Sequence, residues 1–171
     1  RLLLLERIRA EQYREERLHD PLTGVFNRSI MDLLVDNLPD SFSVIIADLN
    51  NFKAINDTYG HPIGDIVLKD TAHLMKCIFR RNDMIIRTGG DEFLIVLPEC
   101  PEEKAVELIR QLHEAIAQSP VPLPDNKNFS YSISTGYAHT GKDEIKTNSS
   151  LIELVARADK AMYQQKPAVG K

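Results

Sequence analysis

The string Gly89-Gly90-Asp91-Glu92-Phe93 lies between two apolar runs, Met84-Ile85-Ile86-Arg87-Thr88 and Phe93-Leu94-Ile95-Val96-Leu97. Both runs are rich in β-branched residues, which suit a pleated surface and predict strands. Strands joined by so short a link must fold back on each other, so an antiparallel hairpin is expected in the middle of the chain. Glycines accept the positive φ angles of a tight turn, which would leave Asp91 and Glu92 at its tip. A glycine pair also leaves the backbone open to close approach by a ligand. Acids beside such an opening can hold a divalent cation against phosphate. Taken alone, the string is an ordinary hydrophilic turn, and the functional reading depends on a second feature.

That feature is Ser43-Val44-Ile45-Ile46-Ala47, a β-branched run that predicts a buried strand ending in Asp48-Leu49-Asn50-Asn51-Phe52-Lys53. A carboxylate at the C-terminal end of a buried strand stands where α/β sheets tend to bind ligands. If this strand lies beside the hairpin, Asp48 and Asp91 meet at one end of the sheet. Two carboxylates completed by substrate phosphates make a usual Mg²⁺ site, because that small hard cation takes few protein ligands and keeps several waters. The competing reading of Asp48 is a helix N-cap.

The remaining elements follow from periodicity and breakers. Residues 1–19 contain no Gly or Pro and predict one charged helix. Leu4, Ile8 and Leu18 fit a heptad seam that Glu11 and Glu15 interrupt, so no stable coiled coil is claimed. Such a helix is either a connector from an upstream sensory domain or a frayed terminus. Asp20-Pro21 ends it, because the residue before proline avoids helical geometry. Helices are predicted over about 29–37, 63–79 and 102–118, with Ile63, Ile66, Val67, Met75 and Ile78 as the sheet-facing stripe of the second. Pro120, Pro122 and Pro124 make a loop. Residues 129–137 alternate, with Phe129, Tyr131, Ile133 and Tyr137 on one face, and predict a strand. A polar loop over 139–149 precedes a last helix to about 166, with Ser150 and Glu153 as its capping box.

At 171 residues one domain with a real core is expected. A net charge of −4 argues against a general nucleic-acid binder, which would carry a basic face. Leu2–Leu5 is far too short to span a membrane. Cys77 and Cys100 have neither metal-ligand nor redox spacing, so both are expected to pack, in a reducing cytoplasm. No signal peptide is visible, and a chain opening on Arg1 is expected to be a fragment of something longer. Whether the parent protein is anchored to the inner membrane stays open.

Together these motifs resemble the GGDEF family of bacterial diguanylate cyclases. Asp20-Pro21-Leu22-Thr23-Gly24 with Asn27-Arg28 is similar to the family's opening motif. Asp48 to Lys53, then Asn56-Asp57 and Tyr59 to Asp65, is similar to its metal and nucleotide segment. Arg87 to Phe93 is its naming motif, and Ser132 to Gly136 and Ala158 to Tyr163 resemble its closing strand and helix. The resemblance runs from Asp20 to about Lys166 and places the cyclase domain at 20–171, behind an N-terminal connecting helix at 1–19. It implies an α/β fold like the adenylyl cyclases and the polymerase palm, with a central, mostly antiparallel sheet flanked by helices.

The activity so implied is condensation of two GTP into cyclic di-GMP and two pyrophosphates by a homodimer, with Mg²⁺ as cofactor and Mn²⁺ as the alternative. Asp48, Asp91 and the Leu49 carbonyl are the expected metal ligands, and Glu92 either completes that shell or assists deprotonation. Which acid is the general base stays open. Asn56 and Asp65 are expected to read guanine, since a carboxylate can accept from guanine N1 and N2. Lys53, with backbone amides at Asn51 and Phe52, and Lys166 are expected at phosphates. His61 is either a ribose or base contact or a helix cap. Arg80 and Asp83 form the Arg-x-x-Asp that in the family binds product as an inhibitor, with Arg81 as an added phosphate contact. Asn50 stands where many members carry a second acid, and Lys166 to Lys171 only loosely resembles the family's Lys-x-x-Gly-Arg ending. A competing reading is a non-catalytic receptor for cyclic di-GMP or GTP. An ATP-using cyclase is disfavoured by Asn56 and Asp65.

Overall fold

The computed structural model describes residues 17–34, 38–124, 126–140 and 148–165, the side chains of 148–150 and 165 excepted. In chain order the elements are β1 (Phe26–Asn27), a 3₁₀ turn (Arg28–Ile30) leading into α1 (Met31–Leu34), β2 (Phe42–Leu49), α2 (Phe52–Tyr59) and α3 (His61–Ile78). Then come β3 (Met84–Arg87), β4 (Glu92–Pro98), α4 (Glu102–Ala117), β5 (Val121–Pro122), β6 (Asn128–Phe129), β7 (Ile133–Thr140) and α5 (Asn148–Gln165). One sheet has the order β1-β3-β4-β2-β7, and β5 and β6 form a separate two-stranded ribbon. β1 runs parallel to β3, while β3–β4, β4–β2 and β2–β7 are antiparallel. The unit β2-α3-β3-β4-α4-β7 is a βαββαβ arrangement with β2 and β4 at its centre.

Helices cover both faces of this sheet. Ile45, Ala47 and Leu49 of β2 and Phe93, Ile95 and Leu97 of β4 join one core with Ile55, Val67, Met75 and Leu112 of α2, α3 and α4. The alternate residues Val44, Ile46, Leu94 and Val96 join a second core with Leu34 of α1 and Leu151, Leu154, Ala158 and Met162 of α5. Two-sided burial explains why β2 and β4 read as unbroken apolar runs although their pairing is antiparallel. Each Val, Leu, Ile, Phe or Met among them contributes roughly 1.5–3 kcal/mol by leaving water. The expected α/β class with a mostly antiparallel, helix-flanked sheet is what the chain forms.

Gly136 of β7 fixes the distance of α5 from the sheet. A Cβ there would lie 2.1 Å from the Ala158 carbonyl oxygen and 2.5 Å from the Met162 nitrogen. The two closing motifs are therefore one packing unit, a bare strand position against a helix backbone.

Several expectations need correction. Neither Gly89 nor Gly90 takes a positive φ, whereas Gly24 and Gly60 do. Turn geometry is therefore not what the hairpin glycines supply: a Cβ on Gly90 would meet nothing within 4 Å, and one on Gly89 would lie 3.3 Å from Glu92 Oε2. The strand expected over 129–137 keeps its inward face, because Tyr131 and Ile133 are buried and Phe129 and Tyr137 pack against them. Its backbone is interrupted, with Phe129 in the β5–β6 ribbon and the sheet strand beginning at Ile133. The helix expected from Ile63 begins at His61 behind Gly60, and Ile66 is exposed. The last helix begins at Asn148, ahead of the proposed cap Ser150. Cys100 is buried but Cys77 is exposed, so only the first packs as expected. Of the helix predicted over 1–19 only 17–19 are described: Arg17 and Leu18 are helical, but His19 already bridges Phe26, and residues 35–37 of the next helix lie outside the described residues. No helix among the described residues is long and apolar enough to cross a membrane.

Candidate active site

β2 and β4 bring the candidate acids to one end of the sheet. Asp48 is the register partner of Glu92, and the next backbone N–H, that of Leu49, donates to the Asp91 carbonyl at 3.1 Å. Directly opposed residues on one face have Cβ atoms about 5 Å apart, a spacing at which two carboxylates repel unless a cation stands with them. Asp48, Asp91 and Glu92 are all half-buried. Among the described residues no three His, Cys, Asp or Glu side chains form a closed metal cage. The donors at this sheet end are carboxylates and the Leu49 carbonyl, all oxygen. That set fits a hard cation that completes its shell with water and phosphate rather than protein.

The hairpin is held from behind. Arg87 donates from Nε and Nη2 to the Gly90 carbonyl at 3.2 and 2.7 Å, and from Nη1 to both Asp20 carboxylate oxygens at 3.1 Å. Thr23 donates to Asp20 Oδ2 from its backbone N–H at 2.9 Å and from its hydroxyl at 2.6 Å. Burial pushes the Asp20 carboxyl up, but the Thr23 bonds and the Arg87 guanidinium outweigh it, and the group titrates below the ordinary aspartate range. A depressed folded-state pKa stabilises above the unfolded value, and that stabilisation is lost as pH falls through the lowered one. Urea midpoints measured from about pH 5 down to pH 2 are thus expected to fall less steeply for Asp20→Asn than for the wild type.

On the facing side, Asn51 takes a left-handed backbone (φ 56°) and turns the chain into α2 without capping it by its own side chain. The first-turn amides of α2 therefore lack a side-chain partner from Asn51, a disposition suited to anions. Lys53 is exposed on that first turn, and Phe52 is half-buried. Asn56 lies over Gly64 of α3: a Cβ on Gly64 would sit 2.0 Å from Asn56 Oδ1 and 3.3 Å from Phe52 Cζ. The bare Gly64 thus places the Asn56 amide beside Asp65, which is exposed. His61 is exposed in the first turn of α3, and the N-cap is Gly60, which removes the capping role considered for it. Lys166 and the C-terminal segment lie outside the described residues.

Sequence reasoning missed part of this arrangement. Asn50 donates from Nδ2 to the Ser132 hydroxyl at 2.9 Å and accepts from the Ser134 hydroxyl at 2.6 Å. It ties the exit of β2 to the entry of β7, a bond that an acid could not donate. Arg28 and Thr88 line a cavity of about 210 Å³ with Glu92, on the α5 side of the sheet. Serines alternating at Ser132 and Ser134 were the one available signal for the first. No sequence signal pointed to the second.

Arg80 and Asp83 stand apart, at the opposite end of β3 from the hairpin. The Arg80 N–H donates to Asp83 Oδ2 at 2.7 Å, and the Asp83 N–H returns to the Arg80 carbonyl at 3.0 Å. Burial raises the Asp83 pKa against the opposing Arg80 contacts. Both residues line a cavity of about 370 Å³ together with Arg81, Lys76, Gly24 and Phe26.

Comparison with known proteins places this geometry. The family model for the diguanylate cyclase GGDEF domain matches residues 17–171. Diguanylate cyclase DgcM of Escherichia coli K12 is 31% identical over 164 residues, covering 91% of this chain and 38% of the relative. The uncharacterized protein YhcK of Bacillus subtilis 168 is 32% identical over 91% of this chain and 45% of its own length. The chain thus spans less than half of these curated relatives. The solved GGDEF domain of YfiN (TpbB) from Pseudomonas aeruginosa superposes with a TM-score of 0.75 at 32% identity, over 86% of this chain and 88% of that one. The coiled coil and GGDEF domain of DgcB from Caulobacter crescentus, in complex with c-di-GMP, gives a TM-score of 0.84 over 96% of this chain and 90% of that one. Its identity is 24%, and that likeness speaks for the fold alone. The matched span takes in the hairpin acids, the β2 aspartate and the α2–α3 corner alike, and the chain belongs to the GGDEF domain family of diguanylate cyclases.

Proposed function

We propose that this domain joins two GTP molecules into cyclic di-GMP, each domain of a homodimer presenting one GTP to the other. What supports the reading is that the β2–β4 register sets Asp48 opposite Glu92 and bonds the Leu49 N–H to the Asp91 carbonyl, so that three acids share one sheet end beside an open Gly90. In each half-reaction a ribose 3′-hydroxyl gives up its proton to a nearby acid side chain or to water as its oxygen bonds to the α-phosphorus of the opposing GTP, the bond from that phosphorus to the α–β bridging oxygen breaks, and pyrophosphate leaves. Asp48, Asp91 and the Leu49 carbonyl would hold Mg²⁺ or Mn²⁺, which when bound neutralises phosphate charge and polarises the α-phosphate. The α2 amides and Lys53 orient the phosphates, and Asn56 and Asp65 receive the guanine edge. Glu92, opposite Asp48 on the same face of the sheet, would complete that shell or assist deprotonation. The domain is incubated with GTP and Mg²⁺ over a range of protein concentrations, and products are read by mass. Cyclic di-GMP at a rate per protein that rises with concentration is expected, and no product at any concentration would refute the cyclase.

The cavity at Arg80 and Asp83 supports a second role for the same product, as an inhibitor held by an arginine fork and a carboxylate. The same cavity is what the receptor reading rests on. Tight binding of cyclic di-GMP without turnover would decide for it.

Gly64→Ala tests the guanine corner without touching a charged group. The new methyl would displace the Asn56 side chain, not helix backbone, and alanine's helix propensity offsets part of the strain by about 1 kcal/mol. The expected outcome is a KM for GTP raised about tenfold, near the loss of one hydrogen bond, with the melting temperature little changed. Steady-state kinetics and thermal melting check it.

A further inference from the structure

The cavity at Arg80 and the catalytic hairpin are joined by an unbroken run of hydrogen bonds. Lys76, on the last turns of α3, lines the cavity and donates from Nζ to the Thr23 carbonyl at 3.0 Å. Thr23 donates its N–H and hydroxyl to Asp20, Asp20 accepts from Arg87, and Arg87 grips the Gly90 carbonyl. Gly24 makes room for this contact: a Cβ there would lie 3.2 Å from Lys76 Nζ, and its φ of +66° disfavours any side chain.

We infer that Lys76 is the residue through which a ligand in this cavity acts on the catalytic hairpin: a phosphate bound beside Arg80 and Arg81 draws its ammonium off the Thr23 carbonyl and loosens the Asp20–Arg87–Gly90 clamp. The inference rests on the product-site reading above and assigns its regulation. An ammonium carries three donors on a flexible stem, and a phosphodiester anion is a much stronger acceptor than the neutral carbonyl that holds it beside Gly24, so the ammonium recentres on the phosphate. The ligand prefers the released arrangement because only there does it gain Lys76, which is the differential contact that any such shift requires. The hairpin then keeps its fold, held by the β3–β4 ladder, but loses the anchor on Gly90.

Spatial continuity alone does not establish coupling, so the test separates binding from effect. The whole 171-residue chain is used, with cyclic di-GMP as probe, calorimetry for occupancy, turnover of GTP, and hydrogen exchange at the Gly89–Asp91 amides. At saturation the wild type is expected to lose at least about tenfold in turnover and to exchange faster at those amides. Lys76→Met, which lacks the Thr23 contact from the start, is expected to show lowered turnover and faster hairpin exchange without ligand, to bind the probe still, and to lose less than about twofold more at equal occupancy. Lys76→Arg, which keeps a long cation, is expected to restore the response. Equal fractional inhibition of the wild type and Lys76→Met at equal occupancy overturns the coupling and leaves the product site standing. Absence of binding to the wild type, or binding that Arg80→Ala does not weaken, overturns the product-site reading and this inference with it.

Discussion

Asp91→Ala is expected to lower cyclic di-GMP formation by at least about a thousandfold, which corresponds to about 4 kcal/mol of barrier. The loss is specific to chemistry because of how Asp91 is built in. Its backbone carbonyl takes the Leu49 N–H, and that bond survives any change of side chain. Gly90 beside it remains held by Arg87. What disappears is one of the two carboxylates proposed to hold the cation. Stability within about 1 kcal/mol of the wild type is expected, as for a half-buried site away from the core. Binding of cyclic di-GMP at the Arg80 cavity is expected to persist. Product assays, thermal melts and calorimetry on one preparation check all three. Turnover within about tenfold of the wild type would remove Asp91 from the catalytic set.

Gly136→Ala is expected to be the most destabilising single methyl in the domain. The added carbon meets the Ala158 carbonyl oxygen at 2.1 Å, the Met162 nitrogen at 2.5 Å and Met162 Cβ at 2.7 Å. Two of these are helix backbone, so relief requires moving α5 rather than turning a side chain. That movement opens the layer where Leu151, Leu154 and Met162 cover Ile46, the register partner of Gly136. Overpacking of this kind costs about 3 kcal/mol. In a chain of this length the loss lowers Tm by about 6–12 °C. Differential scanning calorimetry measures it, and a fall under about 2 °C would mean that the helix shifts without penalty. The contrast with Gly64→Ala is instructive: there the obstacle is the end of a side chain, and the effect is expected in binding instead of folding.

Most of the catalytic end was legible before any coordinates, because its acids are bracketed by strands whose composition leaves little choice. Asp48 and Asp91 could be placed together from two buried runs and one hairpin. α2 was not legible as a separate helix, since Phe52–Tyr59 buries only Ile55 and offers periodicity little to work with. The break between Phe129 and Ile133 was invisible for a different reason. Alternation reports which way side chains face, and Tyr131 keeps facing inward after the backbone has left the sheet. Asp20 and Arg87 are 67 residues apart, and nothing in a linear string says that one carboxylate completes the other's clamp. Of the two reasons the sequence offers for the hairpin glycines, turn geometry does not hold, while the space expected beside them is present at Gly90.

The entry of the chain has a mechanical meaning. Asn27 donates to the carbonyls of Arg17 and His19, so the end of the leading segment is pinned to β1. In the parallel ladder Asn27 is the register partner of Arg87, whose guanidinium holds the hairpin. The pin and the hairpin root are therefore side by side, one strand spacing or about 5 Å apart. A displacement of Arg17 or His19 would pass through Asn27 to the neighbouring strand, whose Arg87 grips Gly90. β1 thus links the end of the leading segment to the strand that roots the hairpin, through two hydrogen bonds and one strand spacing.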